Sequence, residues 1–324
     1  MFAVRMKSGE QTFAARQLGA ILLTAGTAMS ADAALLAAAE NIPLLLIDAN
    51  THAPLAQLGS GRAVSLAAIR RNQAVFTRSP EGFSWVGKIL SQKISAQAEL
   101  LERRRIKLEK ANEAGFRAAL KSMRQQARSL QEWSLPPGAD FIPAIIAERF
   151  RGQEGTASRL YFQQIAALLD PALGFQHRQG HPAYDPFNAL LNYGYGMLYT
   201  SVHLALLKSG LDPYMAVLHA DQYGGKPTLS YDLIEPFRPW ADEVALQLAE
   251  SGLLTSPDFF RPDPDEQGLW LGRAGKSAAI DAMLAMLGTS DPVGGRRLRR
   301  SVQIDLEAQK LAVFLKGYGE TNKP

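Results

Sequence analysis

The chain has 324 residues, of which 47% are hydrophobic and 20% charged, so it is long enough for two domains and can bury a sizeable core. Its 35 lysines and arginines exceed its 31 aspartates and glutamates, which leaves a formal net charge of +4. This mildly basic balance is compatible with nucleic-acid binding but does not require it. Because the chain contains no cysteine, a disulfide scaffold, a thiol nucleophile, an iron–sulfur cluster and a cysteine-built zinc site are excluded.

No targeting or membrane-spanning segment is visible in the sequence. The first residues lack the apolar core of a signal peptide. The most apolar stretch, 33–47, is interrupted by Glu40, Asn41 and Pro43 and is too short to span a bilayer. We therefore expect a soluble protein of the cytoplasm that does not act at a membrane.

The beginning of the chain has the pattern of a small β-rich domain. Three short apolar runs, at 2–6, 21–23 and 42–47, are separated by glycines and by an Asp-Ala-Asn turn, as short strands require. Between the second and third runs, Ser30 predicts the N-cap of a helix that extends to Glu40.

The rest of the chain has helical composition. Residues 85–128 contain few glycines or prolines and many Leu, Ala, Lys, Glu and Arg. Asp185 predicts the N-cap of a long helix, in which Gly194 and Gly196 indicate close packing of a neighbouring backbone. The predicted fold is α+β, and its parts are a small β-rich domain at 1–70, a linker at 71–84 and a larger all-helical domain at 85–324.

Three segments place ionisable side chains beside glycine or proline, and each has a structural as well as a chemical interpretation. Glu154 lies between two glycines at a predicted helix start, where a carboxylate also serves as a first-turn charge. His219 ends an apolar segment, where a histidine is commonly a hydrogen-bonded boundary residue. Asp232 and Glu235 would share one helix face, although Asp-x-x-Glu is also a capping-box pattern.

One histidine and two or three carboxylates from separate segments form a mixed nitrogen and oxygen donor set. Such a set suits Mg²⁺ or Mn²⁺ with open coordination positions better than a closed structural zinc site. The sequence contains no Gly-x-Ser-x-Gly elbow, no Walker A motif and no Gly-x-Gly-x-x-Gly. No sequence motif therefore supports serine hydrolase chemistry or nucleotide binding.

Four sequence blocks follow one another along the second half of the chain. They are Glu-Gly at 154–155 with Tyr-Phe at 161–162, Asp-Pro-Phe-Asn-Ala-Leu-Leu at 185–191, Gly-Leu-Asp-Pro through Leu-His at 210–219, and Asp-Leu-Ile-Glu-Pro-Phe-Arg-Pro at 232–239. Their order resembles the CRISPR-associated integrase family, the metal-dependent endonucleases that install new spacers in bacterial and archaeal immunity. The family has a β-rich N-terminal domain followed by a helical catalytic domain.

The resemblance implies a metal site and a reaction. It places metal ligands at Glu154, His219 and Asp232, with Glu235 in the neighbouring acidic position and Mg²⁺ or Mn²⁺ as the ion. In the family, the 3′-hydroxyl of a captured DNA fragment attacks a phosphodiester of the CRISPR repeat, and water in its place gives nuclease activity. A cation at these residues would polarise the scissile phosphate and stabilise the leaving oxygen.

The resemblance also implies DNA contacts and partners. Phosphate contacts from basic and polar side chains make binding fall steeply with salt, and the candidates are Arg149, Arg151, Arg159, Arg178, Asn188, Arg238, Arg296, Arg297, Arg299 and Arg300. The last four also fit a solvated helix start. The expected partners are double-stranded prespacer and repeat DNA, a second copy paired through the N-terminal domain, and a small ferredoxin-like subunit that bridges two dimers. Relative to the family, the N-terminal domain is expected to be short at its start.

Two alternatives stay open at this point. A transposase-like integrase outside a CRISPR locus would keep the chemistry without the CRISPR partner. A non-catalytic helical DNA-binding scaffold would use the acidic residues only as helix caps and surface charges.

Overall fold

The computed structural model describes residues 1–58, 66–105, 113–219, 226–255, 260–262 and 268–321. Short strands dominate the N-terminal part and helices dominate the larger second part, which confirms the predicted α+β class. Within the described residues, no helix is both long and apolar enough to cross a membrane.

Two small sheets form the N-terminal part. The first pairs β1 (Phe2–Met6) antiparallel with β2 (Gly9–Phe13). In the second, β4 (Leu44–Ile47) lies between β3 (Ile21–Leu23), which is parallel to it, and β5 (Pro54–Leu58), which is antiparallel. The apolar runs predict β1, β3 and β4. They do not predict β2 and β5, whose side chains are mostly exposed and so form no apolar run.

Helix α1 (Ala31–Ala39) supplies the crossover that the parallel pair of β3 and β4 requires. Its predicted N-cap is confirmed, since the Ser30 hydroxyl accepts a hydrogen bond from the Ala33 amide at 3.2 Å. The helix contributes Ala37 to a small core with Phe2 and Ile42, separate from the main core.

The second part is built from helices around one large core. The helices are α2 (Leu66–Phe76), α3 (Pro80–Arg104), α4 (Glu113–Gln131), α5 (Pro143–Leu168), α6 (Pro186–Lys208), α7 (Thr228–Ile234), α8 (Arg238–Glu250), α9 (Arg273–Gly288) and α10 (Arg300–Thr321). The predicted helical stretch at 85–128 corresponds to α3 and α4, and residues 106–112 within it lie outside the described residues.

The segment 71–84, predicted as a linker, is helical over most of its length. Helix α2 continues to Phe76, and α3 begins at Pro80 after Ser79, whose hydroxyl accepts from the Gly82 amide at 3.1 Å. A serine followed by proline is an N-cap followed by the first helical position. Gln73 of α2 is buried and donates to the Asp212 carbonyl at 2.7 Å, which fastens α2 to the segment that precedes His219.

The second part is not all-helical, because two short antiparallel hairpins interrupt it. One pairs β6 (Phe260–Pro262) with β7 (Leu269–Leu271), and the other pairs β8 (Ser290–Val293) with β9 (Arg296–Arg299). The second hairpin turns at Gly294 and Gly295, whose φ angles are 56° and 79°. Two residues with positive φ make the turn that matches strand twist, so this Gly-Gly pair is a hairpin signal.

Helix α6 runs through the main core and is buried on every side. Its predicted N-cap is confirmed, since the Asp185 carboxylate accepts from the Asn188 amide at 2.8 Å. The predicted close packing is also found, because a Cβ on Gly196 would lie 1.6 Å from the Thr51 carbonyl oxygen. Thr200 donates its hydroxyl proton to the His52 carbonyl. The loop between β4 and β5 is thereby held against α6.

Candidate active site

Glu154 lies in the middle of α5 and not at a helix start. The helix begins at Pro143 and passes through Gly152 and Gly155, around which the structure leaves open space. Each glycine costs about 1 kcal/mol in a helix interior. The buried face of α5, which includes Tyr161, offsets that cost because it packs in the main core. The first-turn-charge interpretation of Glu154 is therefore wrong.

One pocket of about 240 Å³ brings together six of the fourteen predicted site residues. Helices α3, α5 and α6, the segment that ends at His219 and the 3₁₀ turn Glu235–Phe237 contribute its walls. The lining side chains from the predicted set are Glu154, His219, Glu235, Arg151, Arg178 and Arg238. The remaining lining residues are Leu90, Lys93, Gln97, Ser158, Phe162, Tyr195 and Leu218. Two carboxylates, an imidazole and several cationic groups therefore share one small space.

Asp232, predicted as a metal ligand, does not line this pocket and is fully buried behind it. Its Oδ2 accepts from the amides of Val217 and Leu218 at 2.8 and 3.1 Å. Its Oδ1 lies 2.6 Å from His219 Nδ1. When Nδ1 carries the proton and donates to a carboxylate, Nε2 carries the lone pair that can bind a metal. Asp232 therefore orients His219.

The interpretation of Asp232 and Glu235 as a capping box is also wrong. Helix α7 begins at Thr228, four residues before Asp232, and Glu235 opens the 3₁₀ turn that follows α7. The side chains of Asp232 and Glu235 therefore lie in different environments. Asp232 faces the backbone of the preceding segment, whereas Glu235 lines the pocket.

Lys93 of α3, which lies outside the four sequence blocks, is placed between the two pocket carboxylates. Its Nζ is 2.5 Å from Glu154 Oε1 and 2.5 Å from Glu235 Oε2. The contact with Glu154 has hydrogen-bond geometry, and the contact with Glu235 is an ion pair. Burial lowers the pKa of Lys93, but the charges of Glu154 and Glu235 more than offset it, so its pKa lies above the ordinary value.

Glu235 is held as a carboxylate from two sides. Its Oε1 accepts from Arg238 Nε at 2.9 Å, while Lys93 approaches Oε2. Burial raises the pKa of Glu235, but the positive charges of Arg238 and Lys93 outweigh it and hold the pKa well below the ordinary value. Glu235 is therefore ionised at neutral pH although its side chain is only 6% exposed.

The donor set of the pocket fits a divalent cation, with one condition. Glu154, Glu235 and His219 supply the oxygen and nitrogen donors that Mg²⁺ and Mn²⁺ accept, and the position between the carboxylates already holds a positive charge. Within the described residues, however, no three acidic, cysteine or histidine side chains are arranged so as to hold an ion. The Lys93 ammonium must move before the two carboxylates can share a metal.

Two arginines beside the pocket are fixed against one aromatic ring. The guanidinium groups of Arg178 and Arg238 lie 5.1 and 4.7 Å from the centre of the Tyr195 ring. The Tyr195 hydroxyl donates to Asp242, and so does the Tyr161 hydroxyl at 3.0 Å. Burial raises the pKa of Asp242 above its ordinary value, although both hydroxyls lower it. This network positions two cationic groups toward the pocket.

The structure separates the other predicted DNA contacts into different places. Asn188 is fully buried, and its Oδ1 accepts from Arg178 at 3.1 Å, so its side chain holds Arg178 in place. Arg151 lines the pocket and donates to the Leu218 carbonyl at 3.2 Å. Two of the remaining arginines, Arg149 and Arg159, are exposed on α5 and do not line the pocket.

The C-terminal arginine cluster is divided between the second hairpin and the start of α10. Arg296, Arg297 and Arg299 are exposed on β9. Arg300 begins α10, pairs with Asp291 at 2.8 Å and does not line the pocket. The cluster is therefore separate from the acidic pocket.

Comparison with known proteins assigns the chain to a family. The model of the CRISPR associated protein Cas1 family matches residues 1–284, so the chain belongs to this family. The CRISPR-associated endonuclease Cas1 1 of Thermus thermophilus is 36% identical over 207 residues, which are 61% of this chain and 64% of that protein. The chain thus matches less than two thirds of that relative's length.

Two further comparisons extend over more of the chain. The CRISPR-associated endonuclease Cas1 1 of Archaeoglobus fulgidus is 28% identical over 304 residues, which are 92% of this chain and 86% of that protein. A solved structure described as a casposase bound to integration product has a TM-score of 0.75 at 20% identity. It covers 97% of this chain and 83% of that one. At that identity the likeness shows a shared fold.

Proposed function

We propose that the chain is a divalent-metal-dependent DNA endonuclease and integrase that inserts new spacer DNA into a CRISPR array. The observation that carries the proposal is the convergence of Glu154, Glu235 and His219 with Arg151, Arg178 and Arg238 on one pocket. Two carboxylates and an imidazole suit a cation, and guanidinium groups suit phosphates. A phosphodiester can bind where these two groups of side chains meet. Membership of the Cas1 family supports the same reaction.

The residues that would hold Mg²⁺ or Mn²⁺ are Glu154, His219 and Glu235. Asp232 takes a positioning role, because it binds the backbone before His219 and fixes the imidazole tautomer. When bound, the ion supplies Lewis-acid polarisation of the scissile phosphate and stabilisation of the leaving oxygen. The family resemblance implies Asp232 as a ligand, whereas the geometry supports Glu235 in its place.

The chain's own residues account for the rest of the chemistry. Arg151, Arg178 and Arg238 would bind the phosphate oxygens flanking the reacting group, and Tyr195 keeps two of these guanidinium groups in place. The nucleophile is a DNA 3′-hydroxyl, so no nucleophilic side chain is needed. One P–O bond forms and one breaks, and the displaced strand leaves with its own 3′-hydroxyl. The number of phosphodiesters is conserved.

We further propose that the protein pairs with a second copy through its N-terminal part. Large apolar side chains are exposed on its strands, among them Leu22 of β3, Leu46 of β4 and Leu55 of β5, with exposures of 40%, 41% and 70%. Exposed apolar side chains grouped in one small region are typical of interaction surfaces. A small ferredoxin-like subunit that bridges two dimers completes the proposed assembly.

A strand-transfer assay tests the function directly. The protein is incubated with a short duplex carrying free 3′-hydroxyls and a supercoiled plasmid with a CRISPR repeat, in Mn²⁺, Mg²⁺ or EDTA, with and without the small subunit. We expect covalent joining that requires the metal and is lost in Glu154→Gln and Glu235→Gln. An exposed acidic residue of the same helix provides the matched control, Glu148→Gln. DNA binding without joining under every condition would favour the non-catalytic scaffold.

A further inference from the structure

The Lys93 ammonium stands where two of the proposed metal ligands face each other. It lies 2.5 Å from Glu154 Oε1 and 2.5 Å from Glu235 Oε2. Two cations cannot share that position, because like charges a few ångströms apart repel each other strongly in a buried site. We propose that Lys93 is a tethered cation that fills the metal position in the metal-free protein and leaves it when a divalent ion binds. The inference rests on the proposed function, since it concerns the same pocket.

Burial explains why such a cation is present. The side chains of Lys93 and Glu235 are only 7% and 6% exposed, and that of Glu154 is 25% exposed. Buried carboxylates without a counter-charge destabilise a fold strongly. Lys93 supplies the counter-charge from within the chain, so the pocket stays formed before a metal arrives. A tethered ammonium also needs no binding event to be in place.

Glu235 does not lose its orientation when Lys93 leaves. Arg238 donates to the other Glu235 oxygen, Oε1, at 2.9 Å, and that contact does not involve the position between the carboxylates. The oxygen that faces Lys93 is Oε2. The two cations therefore have separate roles, in which Arg238 holds the carboxylate and Lys93 occupies the place of the ion.

A receiving group for the displaced ammonium lies one helical turn along α3. Gln97 lines the same pocket and is 1% exposed, and no described group forms a hydrogen bond with its side-chain oxygen or nitrogen. Residues four apart on a helix are neighbours on one face, so the Gln97 side-chain oxygen can accept a hydrogen bond from Lys93 Nζ. A buried amide without partners is costly, so a hydrogen bond from the displaced ammonium would be favourable for Gln97.

The competition predicts that removing Lys93 strengthens metal binding. Mn²⁺ affinity is measured on the full chain by titration followed by electron paramagnetic resonance, without DNA. We expect the dissociation constant of Lys93→Met to be at least tenfold lower than that of the wild type. The control is Lys88→Met, which removes an exposed charge from the same helix and is expected to match the wild type. In EDTA, Lys93→Met should also unfold at a lower temperature than the wild type. Added Mn²⁺ should raise the unfolding temperature of Lys93→Met by more than it raises that of the wild type.

The possible results separate the two proposals. If the wild type binds Mn²⁺ and Lys93→Met binds it no more tightly, Lys93 is a structural ion pair and the tethered-cation proposal is overturned, whereas the metal site stands. If neither protein binds Mn²⁺, both proposals fall. If Lys93→Met alone binds Mn²⁺, the competition is stronger than expected and the proposal is supported.

A measurement on the wild type covers the case in which Lys93→Met does not fold. The amine-acylating reagent sulfosuccinimidyl acetate is applied with and without Mn²⁺, and the modified lysines are identified by peptide mass spectrometry. Lys93 should react several-fold faster when Mn²⁺ is present, whereas the exposed Lys88 should react equally in both conditions. If Lys93 is acylated at the same rate with saturating Mn²⁺ as without it, the proposal is overturned.

A double-mutant cycle tests the role of Gln97. Gln97→Leu should weaken Mn²⁺ binding several-fold in the wild-type background, because the displaced ammonium loses its acceptor. It should have no effect in the Lys93→Met background, where no ammonium is displaced. Equal effects in the two backgrounds would show that Gln97 acts independently of Lys93 and would remove it from the proposal.

Discussion

The substitution Asp232→Asn distinguishes a positioning carboxylate from a metal ligand. Asp232 is fully buried and accepts from two backbone amides and His219. Asparagine keeps a carbonyl oxygen for the amides but loses the charge, and its N–H groups oppose the Nδ1 proton of His219. Hydrogen bonds to charged groups contribute about 1.5–3 kcal/mol each. We therefore expect a loss of roughly 1–3 kcal/mol in the free energy of unfolding, measured by urea titration in EDTA.

The same substitution should weaken metal binding without removing a ligand. An asparagine beside Nδ1 favours the tautomer in which Nε2 carries the proton, and a protonated Nε2 cannot bind a metal. Replacing such a partner of a metal-binding histidine typically costs 10–100-fold in metal affinity or activity. Glu154→Gln and Glu235→Gln, which change the ligands themselves, should lose more.

Unchanged or increased stability of Asp232→Asn would contradict a positioning role for Asp232. If Asp232 were a metal ligand that contributed mainly its charge to the acidic pocket, removing that charge in EDTA would relieve repulsion. Asp232→Asn would then be as stable as the wild type or more stable. Ser158→Ala, which changes a polar side chain that does line the pocket, serves as the control for unfolding in EDTA.

Three further predictions follow from the fold and the charges. Gly196→Ala should destabilise the fold by more than about 2 kcal/mol in urea unfolding, because the new Cβ would meet the Thr51 carbonyl oxygen at 1.6 Å; wild-type stability would contradict that packing. Arg178→Met and Arg238→Met should each lower the slope of log affinity for DNA against log salt by about 1, and an unchanged slope would exclude a phosphate contact. The depressed pKa of Glu235 gives stability that is complete above the pKa of the unfolded carboxyl and is lost as pH falls toward the lower folded value. Glu235→Gln should therefore lose less stability between neutral and acid pH, and an equal loss would refute the linkage.

Local signals in the sequence predicted several elements correctly. The caps at Ser30 and Asp185 were identified because an N-cap hydrogen bond joins residues only three apart. The close approach at Gly196 was inferred because glycine is costly inside a helix without a packing reason. The hairpin turn at Gly294 and Gly295 has an equally local signal, since both glycines have positive φ. The donor types of the pocket were likewise evident from the four sequence blocks.

The assignment of roles within those blocks was decided by the tertiary structure. Asp232 and Glu235 belong to one short motif, and their roles differ because α7 ends between them and a 3₁₀ turn redirects the chain. Glu154 was placed at a helix start because its flanking glycines suggest an end, whereas core packing carries α5 through them. The continuation of α5 depends on packing against residues that are distant in sequence.

The sequence by itself predicted the family and the caps that begin α1 and α6. Only the tertiary structure showed that Lys93 completes the pocket, because it lies 61 residues from Glu154 along the chain. Caps and turns act through hydrogen bonds within a few residues, so they can be recognised locally. The pairing of charges across α3, α5 and the turn after α7 depends on how the core packs these elements together, and no local pattern encodes that arrangement.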